Sequence, residues 1–232
     1  MRLHAIAPVK HCPFLLIEVN MYSAGEVQSH FHTLATCADP ALISQSNQYL
    51  LGFQASAEAW GVCRGLLVLE SQPHVLLMAA QTLYQKLRSE WHLLTDPQRL
   101  EMRDYLLGLL ALGLPANGHR KVCQCLAFAG VNLSAGLWEE FYVEVLRIPR
   151  CETVLEILDC VPFIVSELSI LRKTVELIKS RIRNQAEPLL NYLCSVISNT
   201  AYFPQVLEVL KDWRELALPV LSHKPITAIL LQ

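Results

Sequence analysis

The stretch Phe53–Arg88, FQASAEAWGVCRGLLVLESQPHVLLMAAQTLYQKLR, decides how the chain is read. It holds two apolar patterns of helical period, parted by Ser71-Gln72-Pro73. Ala59, Val62, Leu66 and Leu69 mark a buried face in the first, and Leu76, Ala80, Leu83 and Leu87 in the second. Residues three and four apart stack on one side of a helix, so each set describes a stripe turned toward a core. Pro73 falls in the first turn of the second helix, where a missing N–H is tolerated. The stretch is predicted to be a helical hairpin, and the hairpin looks like a repeating unit.

Upstream, Val27, Phe31 and Leu34 mark a helix between Glu26 and Cys37. Asp39-Pro40 then supplies an N-cap and a first-turn proline for a helix from Ala41 to Gln54. Downstream, Thr95-Asp96-Pro97 repeats that start signal ahead of Leu100, Leu106, Leu107 and Leu110. A break from Gly113 to Gly118 precedes Val122, Cys125, Leu126 and Ala129. Gly136 to Arg147 and Cys151 to Val161 form a further pair, and a longer helix is expected from Val165 to Arg183. Helices over Pro188–Ser198 and Pro204–Leu216 follow, and Pro225 opens a last apolar segment. Pairs return every ~35–45 residues, the period of stacked helical repeats. The expected fold is all-α, a HEAT-repeat-type (armadillo-like helical) α-solenoid of antiparallel helix pairs spanning residues 23–232. Residues 1–22 are expected to be a poorly ordered extension, with too short an apolar run for a secretory leader. Ile226 to Leu231 lacks the polar face of a capping repeat, so the chain is expected to be an N-terminal piece of a longer array.

Composition narrows the function classes. Of 232 residues, 53% are hydrophobic and 17% charged, enough to fill a core. A formal charge of −2 gives no electrostatic case for direct nucleic-acid binding. The charge-free stretches Tyr105–Gly118 and Val122–Trp138 are respectively too short and too polar to span a bilayer, which needs roughly 20 apolar residues. No membrane insertion is expected. The eight cysteines are scattered without a C-x-x-C knuckle, which argues for reduced, structural thiols and no metal site. Neither a Gly-rich phosphate loop, nor G-x-S-x-G, nor H-E-x-x-H appears, so a binding protein is expected, without enzymatic activity or cofactor.

From Val27 onward the chain resembles the N-terminal region of importin-β superfamily nuclear transport receptors (karyopherins), in particular the transportin-SR-like branch. The likeness is carried by Asp39-Pro40, Tyr49-Leu50-Leu51-Gly52-Phe53-Gln54-Ala55-Ser56 with Ala59-Trp60, and Ala79-Ala80-Gln81-Thr82-Leu83 with Lys86-Leu87-Arg88. Leu100, Arg103-Asp104 and Leu106-Leu107 continue it, as do Leu155-Glu156-Ile157-Leu158 with Val161-Pro162, and Val206-Leu207 with Trp213. The resemblance implies an importin-N and exportin-like solenoid that binds the small GTPase Ran in its GTP form on concave helices. Gln81, Tyr84, Gln85, Lys86 and Arg88 are the residues it points to. It also implies protein import into the nucleus, protein cargo of the SR splicing-factor type, nucleoporin Phe-Gly repeats as partners, and a place in both cytoplasm and nucleus. Glu139, Glu140 and Glu144 are expected on one helix, as a contact for a basic partner. The alternative is a HEAT-repeat scaffold subunit of another assembly, with no part in transport.

Overall fold

The computed structural model describes residues 21–69, 71–168 and 172–216. The expected extension over residues 1–22 lies outside these except for Met21 and Tyr22, and so does the apolar stretch Ile226–Leu231. The described residues form helices joined by turns, with no strand among them: an all-α chain of helical repeats. They divide into two compact units, residues 1–83 and 84–232.

The first unit contains α1 (Ala24–Thr36), α2 (Pro40–Ala55) and α3 (Ala59–Leu66), and α4 (Pro73–Glu90) begins in it. Its helix starts are set by local chemistry. Ser23 and Glu26 close a reciprocal capping box on α1, and Asp39 accepts the Ala41 N–H at 2.8 Å beside Pro40. Glu58 reaches back to accept the N–H groups of Met21 (3.2 Å) and Tyr22 (2.9 Å), fixing the entry to α1. The Tyr22 ring then lies edge-on to Tyr49 and beside Phe53. Gly52 makes room for it, since a Cβ there would stand 2.6 Å from the Tyr22 hydroxyl. The core of Val27, Phe31, Leu50, Phe53, Ala59, Trp60 and Cys63 is where α1, α2 and α3 pack together. Helix α3 stops at Leu66, one turn short of the expected end, and Val68 and Leu69 are exposed. Leu69 therefore does not belong to the buried stripe.

The second unit takes up the rest of α4, a single 3-10 turn at Trp91–Leu93, α5 (Asp96–Leu112), α6 (Ala116–Leu133), α7 (Phe141–Val145), α8 (Cys151–Glu167), α9 (Arg172–Asn184), α10 (Ala186–Ile197) and α11 (Phe203–Glu215). Thr95 and Gln98 form a second capping box. Gly113 ends α5 in the left-handed region at φ 77°, where a side chain would be strained. Helix α6 is the centre of the unit, buried along most of its length between α5 and α8. Gly130 near its end lets the Phe141 ring come so close that a Cβ would sit 2.2 Å from it. From there Phe141, Tyr142 and Trp213 form a chain of rings in edge and tilted contact.

Two boundaries differ from expectation. The pair partner expected over Gly136–Arg147 is only the short α7, preceded by turns from Ser134. And α8 does not end at Val161; it runs through Pro162 to Glu167, so the helix expected from Val165 starts instead at Arg172. Proline has no N–H to give the carbonyl one turn back, here that of Leu158. Trp213 of α11 replaces the missing donor, its indole N–H reaching Leu158 O at 2.8 Å. The helix survives its proline because a neighbour satisfies the freed carbonyl.

Candidate functional site

Of the five residues singled out on α4, Gln81 lies in the first unit and is half-buried. The other four lie in the second. Gln85 is exposed, and Arg88 has 41% of its side chain in solvent while pairing with Glu167 Oε1 at 2.5 Å. Tyr84 and Lys86 turn inward, contrary to the expectation that they share an accessible surface. Tyr84 is 3% exposed, its ring edge-on to Phe128 at 6.2 Å. The Arg88 guanidinium (5.8 Å) and Lys121 ammonium (5.5 Å) sit over that ring, placing positive charge on its electron-rich face. Its hydroxyl is buried without a hydrogen-bond partner among the described residues. Burial, then the Glu167 carboxylate, pushes the phenol up to about 12, with Arg88 opposing. Lys86 is 2% exposed and ion-paired to Glu90 one turn on. Two off-stripe residues thus became core, because α4 buries more than one face.

Of the four singled-out residues in the second unit, an amide and a guanidinium remain open, Gln85 and Arg88, with Glu167 holding the guanidinium. Sequence reasoning missed Glu167. It lies 79 positions from Arg88 and carries no local signal.

The acidic group is arranged differently from expectation. Glu139 and Glu140 precede α7 and only Glu144 is within it, so they share no helix face. Glu139 pairs with Arg181 at 2.6 Å, and Glu144 accepts the Trp138 indole N–H at 2.7 Å. Gln185 ties the turn down, donating to Glu139 O (2.6 Å) and accepting from Val143 N (3.1 Å). Two of the three carboxylates brace the turn between α6 and α7. On α9, Lys179 and Arg183 both approach Glu176.

A second constellation was not expected at all. His119 and Cys123 on α6 and Glu156 on α8 bring three potential metal-ligand atoms within 4.8 Å of one another. His119 and Cys123 stand four positions apart on one helix, and the third member comes from another.

Among the described residues no helix is long and apolar enough to cross a membrane. Over a 136-residue stretch the chain is 31% identical to an uncharacterised protein of Schizosaccharomyces pombe, an alignment that takes in 56% of this chain and 14% of that protein. The chain therefore spans a small part of that relative's length. Residues 46–111, from within α2 to the end of α5, match the importin-beta N-terminal domain. That likeness takes in less than a third of the chain.

Proposed function

We propose that the chain acts as the N-terminal part of a nuclear transport receptor that binds Ran in its GTP form. The observation that carries this reading is the match of residues 46–111 to the importin-beta N-terminal domain, the kind of domain through which importins bind Ran-GTP. Gln85 and Arg88 lie within the matched residues and keep polar groups in solvent. A guanidinium and an amide offer several donors to a partner's carbonyls and carboxylates. Tyr84 lies under the Arg88 guanidinium and Lys86 is paired to Glu90, so neither is a contact on this reading. The transportin-SR-like resemblance extends the proposal to SR-type cargo, to Phe-Gly nucleoporin repeats and to shuttling between cytoplasm and nucleus. On this reading the chain binds and releases partners and catalyses nothing.

Calorimetric titration with Ran loaded with GTP, and separately with GDP, tests it. Binding selective for the GTP form is expected, weakened about tenfold by Gln85→Ala or Arg88→Glu, the loss of one interfacial anchor. Arg88→Glu also faces Glu167, so its thermal unfolding is measured alongside; Gln85→Ala breaks no described contact. A folded chain that ignores both forms would overturn the proposal in favour of a HEAT scaffold.

A further inference from the structure

The α6–α8 interface holds polar chemistry that packing does not require. His119 and Cys123 stand one helical turn apart on α6, and Glu156 faces them from α8. Glu156 Oε2 lies 3.9 Å from His119 Nε2, which also meets the Thr153 hydroxyl at 3.0 Å. Two atoms of the cluster are buried without a hydrogen-bond partner among the described residues: His119 Nδ1 and Glu156 Oε2. Either imidazole tautomer leaves Nδ1 unsatisfied while Nε2 serves Thr153, as a donor with no acceptor or as an acceptor with no donor. Orphaned polar atoms this deep are costly, and two in one cluster ask for a cause.

We propose that His119, Cys123 and Glu156 form a binding site for a zinc ion, clamping α6 to α8. The donor set is one imidazole nitrogen, one sulfur and one carboxylate oxygen, the mixture that suits a borderline tetrahedral cation. Zinc bonds of roughly 2.0–2.3 Å place ligand atoms about 3.3–3.8 Å apart, so the group must close by about an ångström. Glu156 can supply that movement, since 28% of its side chain is in solvent. The same opening gives the ion an entry path and a water the fourth position. Charge balances too: thiolate, carboxylate and neutral imidazole cancel a divalent cation, which permits burial. A thiol must lose its proton to ligate zinc, so binding releases a proton. This proposal is independent of the transport reading.

Cobalt(II) is the probe, added to the full chain after reduction and treatment with chelator. One equivalent is expected to bind with a thiolate-to-cobalt charge-transfer band in the near ultraviolet, and zinc is expected to displace it. Cys123→Ala removes the band, His119→Ala weakens binding at least about a hundredfold, and Glu156→Gln about tenfold, as expected for lost ligands. Cys37→Ala, a thiol of the first unit, leaves the band intact. Circular dichroism of each variant reports whether it has folded. A wild-type chain without a stoichiometric band, or a band that survives in folded Cys123→Ala, overturns the proposal.

Discussion

In the first unit the described buried polar side chains are Ser46 and Thr82, two small hydroxyls; in the second they include Lys86 and His119, both ionisable. The first unit keeps its charged chemistry at helix starts, in the Ser23–Glu26 box and the Glu58 anchor, where solvent screens it. The second takes ionisable groups inside: Lys86 pairs with Glu90, whereas His119 Nδ1 has no hydrogen-bond partner among the described residues. A repeat that keeps its ionisable groups at helix starts holds its packing apart from their titration. One built around α6 depends on residues far apart in the chain, and its stability follows its ionisation.

The largest effect that would sharpen this contrast is at glycine. Gly130→Ala drives a Cβ into the rigid Phe141 ring and is expected to destabilise by about 1–3 kcal/mol. Gly61→Ala in α3 meets nothing within 4 Å and is expected to stabilise by ~0.5–1 kcal/mol through helix propensity. Urea unfolding of both variants should move in opposite directions; the same sign would break the comparison. Next is pH. Burial, with Arg150 adding to it and Glu156 and Glu152 opposing, holds the His119 imidazole below its usual 6.5. The native state then binds fewer protons than the unfolded one, so stability present above pH 6.5 is lost as pH falls through it. The Glu26 carboxyl is lowered instead, by its bonds to Ser23, and its contribution is lost only below its usual 4.5. Hydrogen exchange on the chelator-treated chain at pH 7 and 5.5, corrected for intrinsic rates, should show protection falling in α6 and α8 but not in α1. Smallest is the cap itself: Ser23→Ala should cost about 0.5–2 kcal/mol, read as faster exchange at the start of α1.

The helix starts were legible because they are written locally. Asp39-Pro40 and Thr95-Asp96-Pro97 each announce a helix within three residues, and α2 and α5 begin there. What escaped depends on partners distant in sequence. Nothing near Tyr84 or Lys86 says that a helix surface off the main stripe will be covered, since a single apolar period describes one face. Glu139 and Glu144 read as a helix face, yet Arg181 and the Trp138 indole make them braces of a turn. The His119–Cys123 pair was visible at helical spacing, but its third member needs the knowledge that α8 packs on α6. Pro162 misled most, for a proline normally argues a helix end.

That proline has a consequence for how this sequence can drift. Trp213 without Pro162 would share the Leu158 carbonyl with a helical N–H, which its two lone pairs allow; Pro162 without Trp213 would strand that carbonyl in the core. The dependence runs one way: proline at 162 requires a donor at 213, 51 positions on, whereas the tryptophan does not require the proline. A relative that keeps proline at the first position should keep a donor at the second, and the tryptophan should have been in place before the proline arrived.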